Sequence, residues 1–162
     1  MQTEIERAIK LRKEGKHQES NNLFLRLVME YPEDAMINYQ CAWSFDLLGE
    51  ELEAVPYYEK AIDLGLTGKE LEGAYLGLGS TYRTLGEYEK SQKVFLAGIE
   101  LFPTNRALRV FYSMTLYNLK EHSSAMETLL KSLIETTTDK NILDYEKAIH
   151  FYSNKLDDVW RK

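Results

Sequence analysis

Apolar positions recur along this chain at two periods, one of a helical turn and one far longer. Leu23, Phe24, Leu27 and Val28 keep to one helical face, in an i, i+3, i+4, i+7 pattern broken only by Glu30 at its end. Such stretches end at Gly15, Gly49 and Gly86, with Lys120 in the equivalent place, at spacings of 34, 37 and 34 residues. Five further columns keep that register. Phe24, Tyr58, Phe95 and Leu129 are large; Val28, Ile62, Ile99 and Leu133 are aliphatic; Leu11, Phe45, Tyr82 and Leu116 are bulky. Ala8, Ala42, Gly79 and Ser113 are small, as are Ser20, Ala54, Ser91 and Ala125. Six columns in one register mark an internal repeat.

The pattern predicts helix pairs over about 3–14 and 17–30, 34–48 and 51–64, 68–85 and 88–101, and 105–118 and 122–135. Pro32 and Pro103 fall just past the second helix of their units, where proline cannot continue a helix. Thr3 with Glu6, and Thr67 with Glu70, have the spacing of a capping box. Two antiparallel helices approach closely only where small side chains meet, which is the role the two small columns imply. A glycine inside a helix costs about 1 kcal/mol relative to alanine, so Gly79 implies close packing as compensation. One pair cannot bury both its faces, and stacking neighbours supplies a continuous core. Glu4 and Arg7, charged at the start of the first helix, suit a solvent-facing first unit. Ile142, Tyr145, Ile149, Tyr152, Leu156 and Val159 fall at i, +3, +7, +10, +14 and +17, predicting one capping helix over about 140–160.

A 34-residue helix–turn–helix unit with these columns resembles the tetratricopeptide repeat. The best match runs through Tyr75, Leu78, Gly79, Tyr82, Gly86, Tyr88, Ser91, Phe95 and Pro103, with Tyr75 in place of the usual Trp, and Ser91 and Gly98 in place of two alanines. The second unit matches through Ala42, Phe45, Gly49, Ala54, Tyr58 and Ala61, but Leu66 replaces the proline. The fourth has lost both turn glycine and proline, at Lys120 and Thr137. The tail resembles that of small stand-alone bacterial members of the family. The resemblance implies an all-α, right-handed superhelical solenoid of four helix hairpins plus a C-terminal capping helix. It would form one domain over 1–162, with repeats at about 1–34, 35–68, 72–105 and 106–139.

It also implies a concave groove, lined by the first helices, that takes a protein or peptide partner. Residues left over from packing would line it: Ile5, Ile9 and Arg12; Met36, Tyr39, Trp43 and Asp46; Gly73, Leu76, Ser80 and Arg83; Val110, Met114, Tyr117 and Asn118. Some family members clamp a C-terminal carboxylate with Lys, Asn and Arg; here Ile5, Ile9, Gln40, Gly73 and Gly77 stand at the matching places, so that clamp is absent. Aromatic and Met anchors around Trp43 replace it. Gly73 and Gly77, four apart on one face, would give either a shallow floor for a ligand backbone or close approach of a neighbouring helix. Alternative roles within the same fold are a secretion-type chaperone shielding an apolar client segment, a peptide-sensing receptor, and a homodimer built on Trp160 and the last helix.

Charge narrows the partners. Residues 1–81 hold 8 Lys/Arg against 15 Asp/Glu, whereas residues 82–162 hold 12 against 11. Eight acids between Asp46 and Glu72 face only Lys60 and Lys69, a surface that repels phosphate backbones and argues against nucleic acid. It reads first as a solvated face, second as a site for a basic segment. No stretch has the length of a signal peptide or a membrane span, and a single cysteine, Cys41, forms no internal disulfide, so a cytoplasmic location is expected. His17, His122 and His150 stand apart and read as exposed polar residues, with no metal-ligand spacing around them. Cys41 reads as a buried thiol, and Glu87 and Glu89 beside Lys90 and Lys93 as solvated ion pairs. Gly77 and Gly79 lie within a helix rather than after a strand, so they form no phosphate loop. No catalytic group, cofactor or metal is expected.

Overall fold

The computed structural model describes residues 1–161. Four helix hairpins follow one another: α1 (Gln2–Lys13) with α2 (His17–Glu30), α3 (Ala35–Asp46) with α4 (Glu51–Asp63), α5 (Gly68–Thr84) with α6 (Tyr88–Leu101), and α7 (Arg106–Asn118) with α8 (His122–Thr136). Their bounds lie within two residues of those predicted. Each helix packs on its neighbours in sequence, and the first helices also touch one another from α3 to α5 to α7, giving a right-handed solenoid.

The columns explain the hairpins. Each turn is closed by a bond from the residue after the glycine position back to the bulky column: Lys16 N–H to Leu11 O, Glu50 to Phe45, Glu87 to Tyr82 and Glu121 to Leu116, at 2.9, 3.1, 2.9 and 2.9 Å. This closure needs a left-handed residue, and Gly15, Gly49 and Gly86 supply it at φ 79°, 71° and 78°. Lys120 adopts the same conformation at φ 66° although it carries a side chain. Between the helices of a pair the small columns meet, and where serine stands it adds a bond: Ser20 Oγ donates to Ala8 O at 2.8 Å and Ser91 Oγ to Gly79 O at 2.7 Å. A Cβ on Gly79 would stand 2.7 Å from the Phe95 ring, so the glycine makes room for that ring.

Caps differ from expectation. Neither Thr3 nor Thr67 bonds through its hydroxyl at a helix start; α1 begins one residue earlier, and Thr67 precedes α5 without capping it. Asp34, Asn105 and Asp139 do cap, accepting from Ile37 N–H at 2.9 Å, Leu108 N–H at 3.2 Å and Asn141 N–H at 2.8 Å.

The C-terminal helix is not continuous. After α8 the chain forms α9 (Lys140–Leu143), turns at Asp144 and Tyr145, and forms α10 (Glu146–Tyr152), which packs against α8. Of the predicted stripe only Ile142 and Ile149 are half-buried, while Tyr145, Tyr152, Leu156 and Val159 are exposed. Ser153 is buried, and Ser123 Oγ donates to Asp157 at 2.7 Å, tying the tail to the start of α8.

Candidate binding surface

The four predicted groove segments fall into two dissimilar halves. In the N-terminal half the space is filled. Tyr39 is buried, and its hydroxyl lies where a Cβ on Gly73 would be. The Tyr58 ring stands 2.5 Å from the Cβ position of Gly77. The two glycines therefore receive tyrosine side chains from α3 and α4 and offer no open floor to a ligand backbone. Asp46 is also engaged: it accepts from Tyr58 OH at 2.5 Å and Thr81 Oγ1 at 3.0 Å. Burial raises its carboxyl above the usual range, and those two bonds only partly offset the shift. Burial likewise raises the Tyr58 hydroxyl, with the Asp46 charge adding to the effect.

Arg12, expected at the groove, is buried. Its guanidinium donates to Gln40 Oε1 at 2.6 Å and stacks 3.8 Å from the centroid of Trp43, and burial lowers its pKa. Trp43 keeps 40% of its surface exposed and covers Arg12 from outside, while Ile5, Ile9 and Met36 are half-buried. Gly73, Leu76, Ser80 and Val110 are half-buried along α5 and α7.

The C-terminal half is open. Met114 and Tyr117 are exposed on α7, with Asn118 beside them, and Arg83 reaches Asn118 Oδ1 at 3.3 Å. These four residues line a cavity of about 500 Å³ that continues over Ser113, His122, Ala125, Met126 and Leu129. Its wall is chiefly apolar, with Arg83 as the one cationic residue, and His122 lies 5.0 Å from the Tyr117 ring. His122 is exposed, as expected, and also forms part of the cavity wall. The α8 residues Met126 and Leu129 were not anticipated here. Leu129 shares its column with the fully buried Phe24 and Phe95 and the nearly buried Tyr58, yet it is 39% exposed. The column identified Leu129 as a packing position, and only the structure shows that it stays partly uncovered.

Among the described residues no three His, Cys, Asp or Glu side chains gather as a metal site, and no helix is long and apolar enough to cross a membrane. Cys41 is buried, and its thiol is pushed up to about 12 by burial, far from a reactive thiolate.

Residues 35–156 match the family described as Tetratrico peptide repeat. The chain belongs to the tetratricopeptide repeat family. Among solved structures it resembles the MamA protein, with a TM-score of 0.76, 17% identity, and coverage of 95% of this chain and 86% of that one. It also resembles YrrB, whose structure is titled a TPR protein with an unusual peptide-binding site, with a TM-score of 0.63, 14% identity, and coverage of 96% and 91%. At these identities the likeness establishes the tetratricopeptide fold alone. A curated relative, Superkiller protein 3 of Saccharomyces cerevisiae, is 26% identical over 106 residues, 61% of this chain, and the chain spans 7% of that protein's length. The tetratricopeptide fold is a scaffold for protein–protein interaction.

Proposed function

We propose that this tetratricopeptide protein is a non-catalytic module that anchors a partner polypeptide at the cavity formed by α5, α7 and α8. One observation carries the reading: a cavity of about 500 Å³ with exposed Met114, Tyr117, Met126 and Leu129 on its wall, beside an N-terminal half already filled by its own tyrosines. Binding pockets are typically apolar concavities with a few polar groups that fix orientation, and Arg83, Asn118 and His122 are those groups here. Met side chains adapt to varied apolar ligands, and Tyr is common at interface centres. Trp43, exposed and backed by Arg12, would give a long ligand a second contact. A cytoplasmic setting belongs to the same reading, consistent with one unpaired, buried cysteine.

The test is a selection of displayed random peptides on the whole chain, with a photo-crosslinking residue at position 114. The expected result is crosslinking of the selected peptides from position 114 and a tenfold or greater loss of affinity on joint Tyr117→Ala and Met126→Ala substitution. Selected peptides that neither crosslink there nor respond to these substitutions overturn the reading.

A second reading, a homodimer through the tail, has one observation in its favour. Phe151, Tyr152 and Trp160 stack edge to face at 5.1 and 5.6 Å, and all three are about half exposed or more. Sedimentation showing a monomer at micromolar concentration ends it.

A further inference from the structure

The cavity occupies the place where, one hairpin earlier, the next first helix is seated. In the repeat register Tyr117, Ala125, Met126 and Leu129 correspond to Arg83, Ser91, Gln92 and Phe95 of the third hairpin. Each of those four touches α7: Arg83 bonds Asn118, Ser91 pairs with Thr115 at 2.8 Å, Gln92 donates to Tyr112 OH at 3.0 Å, and the Phe95 ring lies 6.3 Å from that of Tyr112. The earlier junctions repeat the arrangement. Arg12 and Asn21 of the first hairpin bond Gln40 and Ser44 of α3, and Asp46 and Tyr58 of the second bond Thr81 and lie against Gly77 of α5. The arriving helix is also constant in kind. It brings a fully buried apolar residue at one position (Ile37, Ala74, Leu108), an apolar or aromatic residue four positions on (Cys41 and Leu78, both buried, and the half-buried Tyr112), and a buried hydroxyl seven positions on (Ser44, Thr81, Thr115).

The chain's own tail starts in this register and cannot complete it. Asp139 caps as Asn105 does, 34 residues earlier, and Ile142 corresponds to Leu108. Glu146 then falls where Cys41, Leu78 and Tyr112 pack, and a carboxylate buried there without a partner costs several kcal/mol. The helix breaks at Asp144 and Tyr145, α10 starts with Glu146 exposed, and no described residue of the tail lines the cavity.

Resting on the reading above, we infer that the occupant of this cavity is a partner's amphipathic α-helix that seats as a fifth first helix. It carries apolar residues at i and i+4 and a small hydroxyl residue at i+7. The surface continues three helix junctions already built by this chain, and it fits a helix rather than an extended strand.

The probe is a synthetic peptide of residues 105–118, the α7 sequence with its cap, stapled through outward-facing positions and helical by circular dichroism. Fluorescence anisotropy with the whole chain is expected to show saturable one-to-one binding. Leu129→Glu or Met126→Glu in the chain, both at exposed positions, weakens it at least tenfold while the circular dichroism spectrum is kept. Tyr112→Glu in the peptide, mimicking Glu146, abolishes it. Absence of binding by the stapled helix, or binding indifferent to all three substitutions, overturns the inference. Displayed peptides that crosslink at position 114 yet bind in extended form overturn it too, while leaving the functional reading standing. If neither helix nor displayed peptide reaches position 114, both fall.

Discussion

Phe95 and Leu129 hold the same place in successive hairpins, and their surroundings differ completely. Phe95 is enclosed by Gly79 of its own hairpin and by Tyr112 of the next, and none of it is exposed. Leu129 has Ser113 for Gly79 and no counterpart of Tyr112 lining the cavity beside it, and 39% of it is exposed. A tetratricopeptide column is a stability feature only when a following repeat covers it; at the end of the stack the same residue type becomes an exposed apolar surface. Of the 19 exposed large apolar residues among those described, 12 lie from Met114 onward, so this contrast extends over the whole C-terminal third.

The largest expected effect tests that contrast directly. Phe95→Ala should cost about 3–5 kcal/mol in urea unfolding, because it leaves a cavity in a junction shared by three helices. Leu129→Ala should cost below about 1 kcal/mol, as surface substitutions do. Equal costs at the two positions would mean that the terminal face is covered in solution.

Next comes Gly77. Its replacement by alanine gains about 1 kcal/mol of helix propensity. The new Cβ would stand 2.5 Å from Tyr58, whose hydroxyl is held by Asp46 and which therefore cannot swing away cheaply. Overpacking of this kind costs about 1–3 kcal/mol, so Gly77→Ala should be destabilising on balance by about 1 kcal/mol. A stabilised variant would show that the groove beside Gly77 is open after all.

These two cases also show how far the sequence could be read. The hairpins, their bounds and the buried columns were legible because each column repeats the same packing requirement at a fixed spacing. The filled half of the groove was not, because the residues that fill it, Tyr39 against Gly73 and Tyr58 against Gly77, are 34 and 19 positions apart in the chain. Exposure on a first helix follows from periodicity; what reaches across from the neighbouring helix does not. The tail misled for a related reason. Its stripe from Ile142 to Val159 satisfies helical spacing, while the repeat register, which places Glu146 where Cys41 and Leu78 are buried, was the stronger constraint. The cavity was half legible: Arg83, Met114, Tyr117 and Asn118 lie on first helices, which the resemblance places at the groove, whereas Met126 and Leu129 lie on a second helix.

Lys120 allows a smaller test of the same contrast. It holds the left-handed turn conformation that Gly15, Gly49 and Gly86 hold in the other hairpins. A side chain there costs about 1 kcal/mol, so Lys120→Gly should stabilise the fourth hairpin by up to that amount, a rise in Tm of about 2–4 °C for a chain of this size. No rise would show that this turn is not closed in the way of the others.

The smallest effect is expected at Asp46, which shares its column with Arg12, Arg83 and Tyr117 and, unlike Tyr117, is met by the following first helix through Thr81. Burial raises its carboxyl above the ordinary aspartate value. The folded state then binds the proton more tightly than the unfolded state, so this group's contribution is most favourable below the ordinary aspartate pKa. It is lost as pH rises from that value through the raised one. Asp46→Asn keeps an oxygen for Tyr58 or Thr81 and cannot ionise. Relative to the parent chain, the variant should therefore gain stability as pH rises through this window and keep a constant offset above it, measured as Tm across a pH series. A relative loss with rising pH would mean that the bonds from Tyr58 and Thr81 outweigh burial, and that this junction is held by a charged acceptor.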